Sequence, residues 1–215
     1  MVEGPTPRIF EGQTVIVCAS GPSLTGFDYS RLDGRNVIAI NREHEVIPTA
    51  QVLWWSDARY WRGEIEGRRN RDSLLAHPAP YKATCQMDYR PDDELPPEII
   101  EYRFTGALGF DPDPRCLRHG NNSSYAAIHL AAHLGAKRIV LLGLDMRYSP
   151  DGRSHRHQGH GLVHTEQTLT QLMLPHFHTL AGPLAELGIE VLNASPDSAL
   201  QTWPRVSIDE GLECA

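Results

Sequence analysis

Long apolar runs are missing from this chain. None of its 215 residues falls in a stretch near the ~18 consecutive apolar side chains that a membrane-spanning helix needs, so no transmembrane segment is expected. Residues 1–10 carry Pro5 and Pro7 and no apolar h-region, which argues against a secretory signal. Cysteine is scarce as well. Cys18, Cys85, Cys116 and Cys214 form no CxxC pair and no short-chain disulfide pattern, and Cys18 sits in a predicted core strand, so a reduced, cytoplasmic setting is expected. Excess positive charge is absent too: 20 basic against 27 acidic residues leave a net −7, unlike a protein that coats nucleic acid, although a local basic patch remains compatible. No internal repeat and no second domain boundary is visible. One domain over 1–215 is expected, with 1–12 as an N-terminal extension.

What is present is an alternation of buried strands with helical or loop segments. Val15-Ile16-Val17, Val37-Ile-Ala-Ile40, Gln51-Val-Leu-Trp-Trp55, Tyr81 to Met87, Arg138-Ile-Val-Leu-Leu142 and Ile189-Glu-Val-Leu192 read as strands, with Glu101 to Phe104 as a short one. Continuous β-branched runs belong to parallel sheets covered on both faces. Tyr125 to Leu134 has helical spacing, with Asn121 or Asn122 as cap and Gly135 as stop. Ala58 to Ala76 is expected to be helical in part, and Glu166 to Leu187 helical but kinked or divided by Pro175 and Pro183. Tyr89 to Glu98 and Thr105 to Gly120 read as loops. The class is α/β, an open, mainly parallel sheet with helices on both faces.

Five predicted strands end in a polar or small group: Ser20, Asn41, Asp57, Asp145 and Asn193. In a parallel sheet these converge on one edge, where open α/β sheets hold their ligands. The first ends in Gly21-Pro22-Ser23-Leu24, either a phosphate cradle or a plain βα turn. After Asp145 comes a polar loop, 147–165, carrying His155, His157, His160 and His164. Loop histidines beside a crevice suit a general base or phosphate contact. They also suit a metal cluster or a solvated loop, although the spacing lacks a His-Glu-x-x-His signature and nearby Cys ligands. His129 and His133 are expected to be packing residues, and His176 and His178 helix surface. The arginines from Arg59 to Arg71, Arg68 and Arg69 among them, interleave with Tyr60 and Trp61. They read as phosphate or base contacts, or as a solvated face.

The segments Val15 to Leu24, Phe27 to Leu32, Ile38 to Asn41, Asn122 to Tyr125, Ile139 to Met146 and Gly188 to Pro196 together resemble the bacterial lipooligosaccharide sialyltransferases. They resemble equally the archaeal 6-hydroxymethylpterin diphosphokinase-like proteins, with their uncharacterised phage members. The resemblance implies a Rossmann-like nucleotide-binding domain in which 147–165 is an active-site loop. It implies nucleotide contacts at Gly21, Pro22, Ser23 and Asn41, and donor phosphate or ribose contacts at Asn122, Ser123 and Ser124. With the strand ends Ser20, Asp57 and Asp145, these form the expected nucleotide site. It implies further a loop histidine as general base, His155, His157 or His160, of which His157 and His160 are favoured. Two departures stand out: Ser20 replaces an Asn before the turn, and Arg147, with Tyr148 beside it, replaces a Tyr aimed at the leaving phosphate.

The expected function is a nucleotide-dependent transferase. In the favoured form it is a glycosyltransferase moving a sugar from a nucleotide-sugar to an acceptor hydroxyl, needing no metal or other cofactor. The alternatives are a diphosphokinase using Mg²⁺ on Asp57 and Asp145, and a non-catalytic phage-type nucleotide-binding accessory protein. The acceptor stays open, nucleic acid included, as does a homo-oligomeric state. No membrane partner is expected.

Overall fold

The structure is a computed structural model and describes residues 6–65, 70–87, 90, 93, 95–157 and 164–215. Its centre is β1 (Thr14–Cys18), whose Val15, Ile16 and Val17 are wholly buried. The other strands are β2 (Val37–Ile40), β3 (Val52–Asp57), β4 (Tyr81–Met87), β5 (Ile99–Glu101), β6 (Arg103–Phe104), β7 (Cys116–Leu117), β8 (Arg138–Leu142) and β9 (Glu190–Asn193). Among the described residues, seven of them form one sheet in the order β5-β4-β3-β2-β1-β8-β9. Every pairing in it is parallel, for example Ile16 with Val37 and Val17 with Leu141. The chain therefore builds outward from β1 in one direction, then returns to its other side with β8. The order reverses between β1 and β8, which is where such sheets open a crevice.

Alternate residues of these strands enter two separate cores, as the period of two requires. Val15, Val17, Ile38, Ile40 and Trp54 pack on one face with Tyr125, Ile128, Leu180 and Leu184. Ile16, Cys18, Ala39, Leu53 and Trp55 pack on the other with Leu24, Leu32, Tyr60, Trp61, Leu74 and Leu212. Helices thus cover both faces: α1 (Ala58–Arg62), α2 (Arg71–Ala76), α3 (Ser123–His133), α4 (Leu174–His176), α5 (His178–Glu186) and α6 (Ile208–Glu213). Each fully buried Val, Ile or Leu contributes about 1.5–3 kcal/mol, so the site rests on a rigid base. Cys18, Cys85 and Cys116 are buried free thiols. Among the described residues, no helix is long and apolar enough to cross a membrane.

Some local expectations need correction. The stretch Glu101 to Phe104 is not one strand: β5 closes the main sheet, and β6 leaves it to pair with β7, inside the stretch expected to be a loop. The crossover after Gly21 is built from two 3₁₀ turns, Pro22–Leu24 and Tyr29–Leu32, because Gly26 takes a left-handed φ of 78° between them. The segment from 166 begins with a π-helical turn, Thr168–Met173, before α4. Pro175 has no N–H to complete the ordinary ladder there, which accounts for the break. Pro183 is accommodated inside α5. The cap at Asn122 and the stop at Gly135, with φ 97°, are as expected.

Candidate functional site

At the carboxyl end of β1 the chain meets the end of β8 at very close range. Ala19 N–H donates to Leu142 O at 2.8 Å and Gly21 N–H to Gly143 O at 2.9 Å. A Cβ on Gly21 would lie 2.4 Å from the Gly143 oxygen and 2.6 Å from Asp145 Cγ, so only glycine fits. Gly143 has φ 70°, and its own Cβ would sit 2.3 Å from Ala19 O. Asp145 then locks the turn: Oδ2 accepts Ser23 N–H at 2.7 Å and Oδ1 accepts the Ser23 hydroxyl at 2.6 Å. Burial raises the Asp145 pKa, and the two Ser23 bonds oppose the rise. Pro22 starts the 3₁₀ turn, and it and Ser23 stand behind the cleft wall rather than on it.

This junction opens into a cleft of about 420 Å³ along the carboxyl edge. Ser20, Gly21, Asn41, Asp57, Asp145 and Arg147 line it, and so do Asn122, Ser123 and Ser124 at the start of α3. Four of the five polar strand ends therefore converge as expected. The fifth does not. Asn193 is fully buried, donating to Leu200 O at 3.0 Å and accepting Ser195 N–H at 3.1 Å, which organises the turn after β9.

The floor is stitched across elements. Asn122 caps α3 by accepting Ser124 N–H at 2.8 Å, while its Nδ2 points at the sulfurs of Met146, 3.6 Å away, and Met173, 3.8 Å away. Ser123 joins α3 to β3 through its hydroxyl, 2.6 Å from Ser56 Oγ, and through its carbonyl, which accepts Trp54 Nε1–H at 3.0 Å. The amino end of an eleven-residue helix thus faces the cleft, with the partial positive charge that suits an anion. Asp57 caps α1, and both its oxygens accept from Arg59, the shortest contact being 2.6 Å. Asn41 takes φ 50° at the end of β2.

The opposite wall was not legible in the sequence: Thr168, Leu169, Leu172 and Met173 of the π-helical turn, with Met146 and Ile65. The only signal for it was the proline that breaks the helix.

The loop after Asp145 divides its candidates. Arg147 and His155 line the cleft, as does His164. His157 is not on the wall: its Nδ1 accepts from Arg42 Nη1 at 3.1 Å, and its ring centre is 5.3 Å from that of His155. Tyr148 donates its hydroxyl to the His164 carbonyl and so closes the loop on itself. His160 lies outside the described residues, with Arg68 and Arg69. Sequence reasoning missed Arg156, within this loop, and Glu43 and Tyr29, to which it is tied.

The described arginines of the run are held by neighbouring side chains. Arg59 is paired with Asp57, Arg62 with Glu64 and Asp93, and Arg71 lies 5.6 Å over the Trp61 ring. Among the described residues, no three His, Cys, Asp or Glu side chains are grouped to hold a metal ion.

The fold and site together define an open, doubly wound α/β domain with a cleft at its topological switch point. No protein-family model matches the chain, and no curated protein matches its sequence. Its fold is similar to solved structures of the sialyltransferase CstII. One, an α-2,3/8-sialyltransferase point mutant, has a TM-score of 0.50 at 17% identity, covering 91% of this chain and 87% of that one. Another, the Campylobacter jejuni enzyme with the substrate analogue cytidine-5'-monophosphate, gives 0.49 at 14% identity over 92% and 86% of the two chains. A third, with a trisaccharide acceptor and CMP, gives 0.47 at 15% identity over 89% and 85%. At these identities the likeness is one of fold.

Proposed function

We propose that the chain is a nucleotide-dependent transferase, and within that class a glycosyltransferase acting on a nucleotide-sugar. The observation that carries this is the meeting, in one cleft, of the Gly21 turn, the amino end of α3 and the loop bearing Arg147 and His155. In this scheme the donor phosphate lies against the α3 amides and the side chains of Ser123 and Ser124, with the nucleoside between Gly21 and Asn41. The acceptor hydroxyl oxygen attacks the anomeric carbon, the bond from that carbon to the phosphate oxygen breaks, and the nucleotide leaves with the electron pair. Arg147 offsets the charge growing on the phosphate. A loop histidine takes the acceptor proton.

The hydrogen bonding argues against His157 in that role. An arginine can only donate, so the His157 Nδ1 that accepts from Arg42 must break that bond before it can accept a proton. Tyr148 serves the loop rather than the phosphate, since its hydroxyl is committed to His164. No metal enters the scheme. Of the carboxylates that a Mg²⁺-dependent diphosphokinase would use, Asp57 is paired with Arg59, whose cation would have to move aside for a metal ion. The resemblance of the sequence motifs to the sialyltransferases makes a cytidine nucleotide the first donor to try.

The test is thermal unfolding of the full chain with CMP, UDP, GDP and ATP, with and without Mg²⁺. A ligand at a hundredfold its Kd should add about 2.7 kcal/mol of stability. Stabilisation by CMP, UDP or GDP without metal is expected. Stabilisation by ATP only with Mg²⁺ would turn the reading to the diphosphokinase. No shift with any nucleotide would leave a binding module of another kind.

A further inference from the structure

Beneath the cleft, the 3₁₀ turn Asn41–Glu45 grips the histidine loop at two adjacent residues. Glu43 has no exposed side-chain surface. Its carboxylate accepts Arg156 Nε–H at 2.9 Å on Oε1 and 3.1 Å on Oε2, and the Tyr29 hydroxyl at 2.9 Å. The Arg156 guanidinium also lies 5.2 Å over the Tyr29 ring. Its main-chain N–H donates to Ser20 O at 2.8 Å, one residue before the Gly21 turn. The next residue, His157, is held by Arg42. The preceding one, His155, lines the cleft, as do Ser20, which accepts the Arg156 N–H, and Asn41, which begins the 3₁₀ turn.

A buried ion pair adds little net stability over an apolar pair of similar volume, yet it fixes direction because each charge needs its partner. Such a pair is an effective way to hold a polar loop that has little apolar surface to pack. We propose that Arg156 is a positioning residue that sets His155 on the cleft wall, by bridging Glu43 beneath the loop and Ser20 at the nucleotide turn. The bridge makes the place of His155 depend on the same turn that carries Asn41. The inference rests on the transferase reading only insofar as His155 is to act on a substrate.

The test uses the full chain as wild type and as Arg156→Gln, Arg156→Lys and the apolar pair Glu43→Leu with Arg156→Met. The pair leaves no unpaired buried charge and serves if the single variant fails to fold. Amide hydrogen exchange at residues 153–157 is measured first. It should quicken by about tenfold or more in Arg156→Gln and in the apolar pair, with Arg156→Lys restoring most of the protection. CMP affinity and the turnover of a CMP-linked sialic acid are measured on the same proteins. A fall in kcat of about thirtyfold, with CMP affinity kept within about threefold, is expected for Arg156→Gln. Wild-type exchange rates in both variants would overturn the proposal, and so would equal losses in binding and kcat. A wild type stabilised by none of CMP, UDP, GDP and ATP would sink the transferase reading, while the exchange result would still decide the anchor.

Discussion

Two groups of histidines in this molecule show how little the residue type alone decides. On α3, His129 is fully buried between Phe110, 4.2 Å away, and His133, 4.7 Å away, measured between ring centres. Its Nδ1 accepts Arg118 N–H at 3.1 Å, and its Nε2 lies 3.1 Å from Asp111 O. Burial, with His133 next to it, pulls its pKa down to about 3, so it stays neutral and works as a packing group with backbone hydrogen bonds. In the loop, His155 stands on the wall of the cleft and His157 is turned away by Arg42. The α3 histidines tie the 105–120 segment to the helix. Of the described loop histidines, His155 and His164 line the cleft. The difference lies in desolvation and partners.

The largest effect expected from this contrast is catalytic. Alanine substitution at His155, His157 and His160 in turn should slow turnover by about 10²–10⁴-fold at one position, with the melting temperature nearly unchanged. If all three keep wild-type kcat, no loop histidine is the base. The converse holds for α3. His129→Ala should destabilise the fold by about 2–4 kcal/mol, read from urea unfolding at neutral pH, while kcat per folded molecule is retained. A His129 variant that is stable but inactive would erase the distinction between the two groups.

The third effect is acid lability. The unfolded chain protonates His129 near its ordinary value of ~6.5, whereas the native chain does not until about pH 3, so the unfolded state binds more protons in between. Stability is therefore intact above about 6.5 and falls with pH below it, by up to about 1.4 kcal/mol per unit. His77, His119 and His133, also lowered by burial, act in the same direction. Glu43 opposes them. Burial raises its pKa from 4.5 to about 7, so the native state holds the extra proton in that window and stability from this group falls as pH rises through it. Urea unfolding across pH 4 to 7 should show the loss on acidification clearly flattened by His129→Phe. The smallest effect concerns a residue of both kinds. Asn122→Ala removes the α3 cap and should cost about 1 kcal/mol in thermal unfolding. It should also weaken nucleotide binding, because the same side chain lines the cleft. Loss of stability without loss of affinity would make Asn122 a cap alone.

Most of the frame was legible because it follows from local rules. Val15 to Val17, Val37 to Ile40 and Ile139 to Leu142 are unbroken apolar runs, and such runs fit strands covered on both faces. Asn122 and Gly135 mark the ends of α3 by capping chemistry that needs no distant partner. Fragments that depend on distant pairing were misjudged. Cys116–Leu117 has only two strand residues and exists because Arg103–Phe104 lies beside it. The π-helical wall of the cleft is set by what it packs against as much as by Pro175.

The same division runs through the Gly21 turn. Sequence alone placed a small-residue turn after a buried strand, polar groups at strand ends and histidines after Asp145, since each depends on neighbours a few positions away. Tertiary structure decided what those groups face. It set Gly21 against Gly143, turned both Asp145 oxygens onto Ser23, buried Asn193 and put His155 rather than His157 on the cleft. It also joined Glu43 to Arg156 across 113 positions of chain. Contacts of that range form only when the sheet closes, and no local propensity encodes them.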